Sequence, residues 1–218
     1  MIRTVMRTMN PTPELEGKVV VSEAEMSLEQ FLAWADEDTH AEWVCGRVIP
    51  KMPASVRHQE SNSFLHLLIG SWVSFHQMGR VFHPPLVIRL TMPNGEQVVR
   101  EPDLIVVLNE HLDRLTEQYL EGAPDLVVEI VSAGRRATDR GEKFDEYEAA
   151  GVPEYWVIDP ERKQAEFAQL NSQGVYQLVY SGSEGVYRSQ VLPNFWLRVE
   201  WLWQQPPLPE ILRAWGLI

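Results

Sequence analysis

The chain has 218 residues, 44% of them hydrophobic, and a formal net charge of −12. This length supports one domain with a substantial core, and no apolar run approaches the roughly 20 residues of a membrane-spanning helix. The single cysteine, Cys45, excludes an intramolecular disulfide and a cysteine-based zinc site, so we expect a cytoplasmic protein.

The N-terminal segment differs in composition from the rest of the chain. Residues 1–25 mix prolines with scattered charges, and we interpret them as a flexible leader before a single domain that spans residues 26–218. Ser27 and Gln30 form a capping box, and apolar residues follow at helical spacing. This pattern predicts a first short helix.

A hairpin and a long helix are predicted next. Ala41 to Lys51 reads as two strands joined at Cys45-Gly46, where glycine supplies the positive φ of a tight turn. Arg57 to Met78 predicts a helix with Gly79 as its left-handed C-cap. The predicted buried stripe of this helix consists of Phe64, Leu67, Leu68, Trp72 and Phe75.

Strand patterns dominate the middle of the chain. Residues 86–90 alternate, Asn94-Gly95 supplies a turn, and residues 98–107 lead into an apolar run, which predicts an antiparallel pair. Asp125 to Val131 is almost continuously apolar and predicts a central strand buried on both faces.

The predicted central strand begins a crossover unit. Thr138 caps a predicted helix that reaches Ala150, and Glu154 to Asp159 follows as a strand. This order favours an α/β fold with a central mixed sheet, flanking helices and additional antiparallel strands. Tryptophans concentrated near the C-terminus favour core packing and a dimer interface, so we expect a homo-oligomer.

Glu129 is the most informative residue, because an ionised carboxylate on a buried strand costs several kcal/mol without compensation. A cation or strong hydrogen-bond donors must therefore lie near this carboxylate. They could be a metal ion, or instead an arginine side chain or a backbone amide. Asp103 follows Pro102 at the head of another apolar strand, although Pro-Asp is also a common turn dipeptide. Two converging carboxylates repel each other unless a divalent ion such as Mg²⁺, or Mn²⁺ as a substitute, lies between them.

Lys143 lies on the helix that follows the Glu129 strand, one turn from Asp139 and one turn from Tyr147. Its ammonium group could orient a water and offset charge on a scissile phosphate. Alternatively, it is an ordinary solvated lysine paired with Asp139.

The order of Pro102-Asp103, a strand glutamate and a nearby lysine resembles the PD-(D/E)XK nuclease superfamily. The run PDLVVEIVSAGRRATDRGEKFDEYEAAGVPEYWVIDP resembles the Uma-type restriction endonuclease family of bacterial proteins. The segments MSLEQFLAW, AEWVCGRVIPKMPASVRHQ and REPDLIVV extend the resemblance from about Met26 to the C-terminus.

The resemblance implies a restriction endonuclease-like fold and DNA as the substrate. It implies that Asp103 and Glu129 bind the metal and that Lys143 is the catalytic lysine. Glu42 is implied as a further acidic residue, which supports the site or binds a second metal. Two positions depart from the family pattern. Val131 stands where the superfamily usually has its lysine, and Cys45 stands where relatives often have an acidic residue.

The acidic net charge conflicts with DNA binding, since Lys and Arg contacts to phosphates supply most of the affinity. Candidate phosphate contacts are Arg135, Arg136, Arg140 and His58, but the arginines also fit a solvated face, and His58 fits a surface or packing residue. The leading hypothesis is therefore a magnesium-dependent endonuclease. The alternative is an inactive nuclease-fold protein that acts as an oligomeric binding or regulatory module.

Overall fold

The computed structural model describes residues 25–36, 38–132 and 141–218. The predicted leader therefore lies almost entirely outside the described residues. The Thr138 cap and the candidate phosphate contacts lie entirely outside them; these contacts are Arg135, Arg136 and Arg140. Among the helices of the described ranges, none combines the length and the apolar character that crossing a bilayer requires.

Strands and helices follow one another along the chain in a mixed α/β order. The helices are α1 (Leu28–Trp34), α2 (Val56–Phe75), α3 (Glu142–Ala149), α4 (Trp201–Gln204) and α5 (Leu208–Ala214). The strands are β1 (Ala41–Val44), β2 (Arg47–Pro50), β3 (Gly79–Phe82), β4 (Val87–Thr91), β5 (Gln97–Arg100), β6 (Leu104–Leu108), β7 (Tyr119–Glu121), β8 (Leu126–Ile130), β9 (Glu154–Asp159), β10 (Gln164–Leu170), β11 (Tyr176–Gly182), β12 (Val186–Arg188) and β13 (Trp196–Arg198).

The larger sheet has the strand order β11-β10-β9-β8-β6-β3, and the smaller one has the order β2-β1-β5-β4-β7. Strand β8 pairs parallel with β9 and antiparallel with β6. A parallel neighbour requires a crossover connection, and α3 provides it between β8 and β9. The predicted mixed sheet with flanking helices is confirmed.

Strand β8 is buried along its whole length because both faces of the larger sheet are covered. Its residues Leu126 and Val128 share a core with α2 and the C-terminal helices. Val127 faces the opposite way, toward Tyr147 of α3 and residues of the smaller sheet. Glu129 belongs to this second face by the period of two along a strand.

The start of the domain follows its prediction closely. Ser27 caps α1, its side chain accepts from the Gln30 backbone, and the Gln30 side chain accepts from the Ser27 backbone. The hairpin β1–β2 turns at Cys45 and Gly46, which both have positive φ.

The long helix is only partly as predicted. Leu67 and Phe75 are exposed, whereas Leu65, Ile69 and Val73 are buried, so the buried stripe is rotated relative to the predicted one. The predicted C-cap at Gly79 is wrong as well. Gly79 begins β3, and a Cβ atom there would collide with the Val107 backbone of the neighbouring strand, so only glycine permits this close approach.

Residues 98–107 form two strands and not one. Strand β5 pairs with β4 in the smaller sheet, as predicted, but β6 belongs to the larger sheet. The chain therefore passes from one sheet to the other through Glu101, Pro102 and Asp103, which are all buried. This passage places polar side chains between the two sheets.

The tryptophans near the C-terminus pack within the chain. Trp215 lies edge-on to Trp72 of α2 and to Trp201 of α4. Its indole N–H donates to the Trp196 carbonyl at 2.8 Å. The core-packing prediction is confirmed for these residues, and the dimer remains a prediction.

Candidate functional site

A cavity of about 620 Å³ lies where the chain passes between the two sheets. Its walls include Glu101, Asp103, Glu129 and Lys143, and it is called the acidic cavity below. These side chains come from the passage between β5 and β6, from β8 and from α3. The cavity therefore gathers residues that are far apart in the sequence.

Asp103 and Glu129 lie side by side on the larger sheet. The antiparallel register pairs Leu104 with Val128, so the next position along the ladder places Asp103 opposite Glu129. Directly opposed residues point to the same face of a sheet. Asp103 also accepts a hydrogen bond from the Ile130 backbone N–H at 2.7 Å. The structure thus brings the two predicted carboxylates together.

Glu129 is 3% exposed and receives two hydrogen bonds on the same oxygen. Lys143 Nζ and the Tyr147 hydroxyl each lie 2.8 Å from Glu129 Oε1. Both donors stand on α3, four residues apart, and so project from one face of the helix. Burial and the nearby carboxylates hold the pKa of Tyr147 well above its usual range, so this hydroxyl keeps its proton and donates.

Lys143 is 1% exposed, which rules out the solvated surface lysine considered from the sequence. Its Nζ lies 2.8 Å from Glu129 Oε1 and 3.0 Å from Glu42 Oε1. The predicted catalytic lysine therefore bridges two of the predicted acidic residues.

Glu42 of β1 lies behind Lys143 and is paired with a second cation. Arg100 donates to Glu42 Oε2 at 2.9 Å and makes two 2.7 Å bonds to Glu146 of α3. Burial opposes ionisation of Glu42, but the charges of Lys143 and Arg100 outweigh it and lower the pKa to about 2. Glu42 is therefore a carboxylate whose two oxygens both accept from cations.

Asp103 is surrounded by basic groups on its cavity side. His58 Nε2, from the first turn of α2, lies 3.2 Å from Asp103 Oδ2, and Lys51 Nζ lies 3.6 Å from Oδ1. Burial opposes ionisation of Asp103, but these groups and the Ile130 amide lower its pKa to about 2. Burial lowers the pKa of His58, but its bond to Asp103 outweighs burial, and the net shift is upward.

Glu101 is 1% exposed and only partly paired. His40 Nδ1 and Lys51 Nζ lie 3.1 Å and 3.8 Å from its Oε1 atom, and Lys51 also donates to its backbone carbonyl. Its Oε2 atom is buried and has no hydrogen-bond partner among the described residues. Burial is the main cause that raises the pKa of Glu101.

The acidic cavity has more carboxylates than permanent cations among the described residues around it. The carboxylates are Glu42, Glu101, Asp103, Glu129 and Glu146, and the cations are Lys51, Arg100 and Lys143. Such an excess of buried negative charge is compatible with a further cation.

The residues fit magnesium better than a softer metal. The described residues contain no group of three or more His, Cys, Asp or Glu side chains arranged so that they could hold a metal ion by themselves. Magnesium needs only one or two carboxylates, because waters and substrate oxygens complete its octahedron. Asp103 and Glu129 meet that requirement, and Glu101 Oε2, which has no hydrogen bond from the described part of the chain, is a third hard donor in the same cavity.

The sequence interpretation missed several of these residues. Arg100 stands at the end of a strand, where the sequence pattern is equally compatible with an exposed side chain. The residues next to Lys51 and Glu101 do not indicate that these two side chains are covered. His58 was weighed as a surface or packing residue, but its side chain is 13% exposed and contacts Asp103. Val131, at the usual lysine position, is buried in the apolar core.

Comparisons with known proteins agree with this architecture. The family model "Uma2: Putative restriction endonuclease" matches residues 28–200. A solved structure, described as a putative nuclease belonging to DUF820 from Anabaena variabilis ATCC 29413, superimposes with a TM-score of 0.68. The two sequences are 19% identical, and the match covers 82% of this chain and 98% of that one. This similarity shows the predicted restriction endonuclease-like α/β fold. No curated protein matches the chain.

Proposed function

Because the chain belongs to the Uma2 family, we propose that it is a magnesium-dependent nuclease that hydrolyses phosphodiester bonds of DNA. The observation that carries the proposal is the pairing of Asp103 and Glu129 on one sheet face beside the buried Lys143. The description of the family and that of the structural relative support the substrate class. The chemistry of the acidic cavity supports the reaction.

In this proposal, Asp103 and Glu129 hold the metal, and Glu101 offers a further oxygen. Magnesium, or manganese in its place, would supply Lewis-acid stabilisation of phosphate charge and a more acidic water. The low pKa of Asp103 keeps this carboxylate ionised at neutral pH, as metal binding requires. The backbone bond from Ile130 restrains one Asp103 oxygen, so the carboxylate is held in place.

Lys143 is proposed to act on the reacting groups. Its ammonium would orient the attacking water and offset the charge that grows on the scissile phosphate. Glu42 would position Lys143, since one Glu42 oxygen accepts from this lysine and the other from Arg100. We therefore assign Glu42 a supporting role, and its prediction as a metal ligand stays untested.

Hydrolysis of end-labelled DNA tests the proposal. Single-stranded, duplex and branched DNA would be incubated with the purified protein in magnesium, in manganese and in EDTA. We expect cleavage with either metal, no cleavage in EDTA, and loss of cleavage in Glu129→Gln. Inactivity on all of these substrates with both metals would contradict the proposal.

A second candidate is an inactive nuclease-fold module that binds a partner. The net charge of −12 and the direct ion pair between Lys143 and Glu129 favour it, since that pair partly compensates Glu129 without a metal. Calorimetric titration with magnesium separates the two candidates. The nuclease predicts binding that Asp103→Asn abolishes, whereas the inactive module predicts no binding at this cluster.

A further inference from the structure

The acidic cavity adjoins a second cavity of about 800 Å³. His83 and Pro84, from the loop after β3, line both of them. The second cavity is called the side cavity below. Because the two cavities share these wall residues, they lie next to each other.

Helix α2 presents a polar stripe along these two cavities. His58, Asn62 and His66 are spaced four residues apart and therefore lie on one face of the helix. His58 and Asn62 line the acidic cavity, and His66 lines the side cavity. Each has a buried polar atom without a hydrogen-bond partner among the described residues: His58 Nδ1, Asn62 Oδ1 and His66 Nδ1.

Unpaired buried polar groups are costly and therefore require an explanation. Three of them in a row on one helix face, all beside cavities, indicate a ligand that supplies their hydrogen bonds. His66 is held in place by an edge-on contact with the His83 ring, with 5.2 Å between the ring centroids.

The walls of the side cavity suit a base better than a phosphate. They include the ring of Tyr119 and the apolar residues Pro85 and Leu86, and the described lining residues contain no lysine or arginine. A phosphate would need cations there, whereas a nucleobase needs flat apolar contacts and a few hydrogen-bonding groups. Burial and the neighbouring His83 lower the pKa of His66, which favours a neutral imidazole there.

We propose that the side cavity binds the base of an unpaired nucleotide next to the scissile phosphate, with His66 contacting that base. The inference rests on the proposed nuclease function and names its substrate class: single-stranded nucleic acid or an extruded nucleotide of a duplex. A base inside a duplex cannot enter such a cavity without leaving its stack, at a cost of a few kcal/mol. Asn62 and His58 would face the same strand in the neighbouring acidic cavity.

Binding of short labelled oligomers tests the inference. The probes are a pentanucleotide backbone that is fully abasic, and the same backbone with one thymine or one adenine. Because each probe carries only one base, the oligomer cannot slide along the protein and place another base in the side cavity. Fluorescence anisotropy with the Asp103→Asn protein measures binding without turnover. We expect at least one of the two bases to tighten binding by about tenfold, in the range that stacking of one base provides.

Variants assign the effect to the side cavity. His66→Leu should abolish the advantage of the base without weakening the fully abasic probe, and the exposed His83→Ala should reduce that advantage. Ser63→Ala, on α2 but lining a different cavity, is the matched control and should retain it. Thermal unfolding checks each variant, and His83→Ala carries the test should His66→Leu fail to fold.

The outcomes separate this inference from the proposed function. Equal affinity for abasic and base-containing probes, with DNA cleavage by the wild type, would overturn the side-cavity inference alone. A base effect that persists in both His66→Leu and His83→Ala would also overturn it. Failure to bind any probe together with failure to cleave DNA would overturn both proposals. Comparing cleavage of a single strand with cleavage of its duplex tells which form supplies the unpaired nucleotide.

Discussion

Glu154 and the carboxylates of the acidic cavity are equally hidden from solvent, but their partners differ in kind. Glu154 is fully buried at the start of β9, and the groups that donate to it among the described residues are all neutral. Its donors are Trp156 Nε1 at 2.6 Å, the Tyr187 and Ser189 hydroxyls at 2.8 Å each, and the backbone N–H groups of residues 190 and 191 at 2.7 Å and 3.0 Å. Glu129, Glu42 and Asp103 are paired with lysine, arginine or histidine.

This difference indicates what each buried carboxylate does. The bonds of Glu154 hold residues 187–191 against the larger sheet, so the carboxylate acts as a structural anchor for the C-terminal segment. Around the acidic cavity, the bonds leave a volume beside the carboxylates and a Glu101 oxygen that no described residue contacts through a hydrogen bond. Burial of an acid on a strand therefore does not identify a reaction site by itself. The cavity and the charged partners do.

The largest expected effect is on hydrolysis by Asp103→Asn. We expect the rate to fall by about 10³-fold, since removal of one electrostatic group from a preorganised site has this magnitude. The free energy of unfolding should fall by about 1–2 kcal/mol, because asparagine keeps an oxygen acceptor for the Ile130 N–H but loses the charge that His58 and Lys51 pair with. Single-turnover cleavage and urea unfolding measure the two quantities. A stable, fully active Asp103→Asn protein would remove Asp103 from the site.

Arg100→Met should have the largest effect on stability. Arg100 is fully buried between Glu42 and Glu146, and removing one member of a buried ion pair costs about 3–5 kcal/mol. The double variant Arg100→Met/Glu146→Gln should recover part of this loss, since Glu146 loses both of its 2.7 Å bonds with Arg100, whereas Glu42 keeps its ion pair with Lys143. Urea unfolding of the single and double variants gives both values. Equal stability of the two would show that Glu146 is not the stranded group.

Glu154→Gln should lower stability but, unlike Asp103→Asn, should leave hydrolysis almost unchanged. An amide cannot accept from all the donors around Glu154, so we expect a loss of about 2 kcal/mol in the free energy of unfolding. Hydrolysis should stay within about threefold of the wild-type rate below the unfolding transition, because Glu154 lies outside the acidic cavity. Loss of hydrolysis in a Glu154→Gln protein that is still folded would show that Glu154 also serves the reaction, and not only the structure.

The last expected effect is on the pH dependence of stability. The pKa of Glu42 in the folded protein is about 2, below its ordinary value of 4.5. A carboxyl group with a lowered folded pKa stabilises the protein fully above its unfolded pKa, and this contribution is lost as the pH falls through the folded pKa. Stability should therefore decline from about pH 4.5 to about pH 2.

The Glu42→Gln protein should take up about one proton fewer than the wild type when it unfolds in acid. Its free energy of unfolding should therefore fall less steeply as the pH is lowered. Glu60→Gln, an exposed substitution on α2, is the control. A wild-type slope in Glu42→Gln would mean that Glu42 is not ionised by its partners in the folded state.

Most of the architecture could be predicted from local patterns. The capping box at Ser27, the turn at Cys45-Gly46 and the apolar run around Glu129 are short-range signals, and each forms the predicted element. The buried face of α2 could not be predicted correctly, because apolar residues occur around much of the helix and the packing partners decide which are covered. Gly79 was misassigned for the same reason, since its neighbour β6 is distant in sequence.

Site residues could be predicted only where their charge is unusual for the sequence around them or where the family resemblance marked them. Glu129 is an acid within an apolar strand, and Lys143 was identified by family resemblance and its place in the crossover. Arg100 and Glu101 gave no such signal. They are buried because the chain passes between two sheets at this point, which the strand pattern of residues 98–107 conceals.

Crystals grown or soaked in manganese chloride test the central claim most directly. We predict an anomalous difference peak in the acidic cavity, with oxygens of Asp103 and Glu129 about 2.0–2.3 Å from the ion, as expected for carboxylate ligands of such metals. Asp103→Asn crystals should lack the peak. A wild-type cavity without the peak, with Lys143 still bonded to Glu129 at saturating manganese, would contradict the claim and assign Glu129 to a structural ion pair.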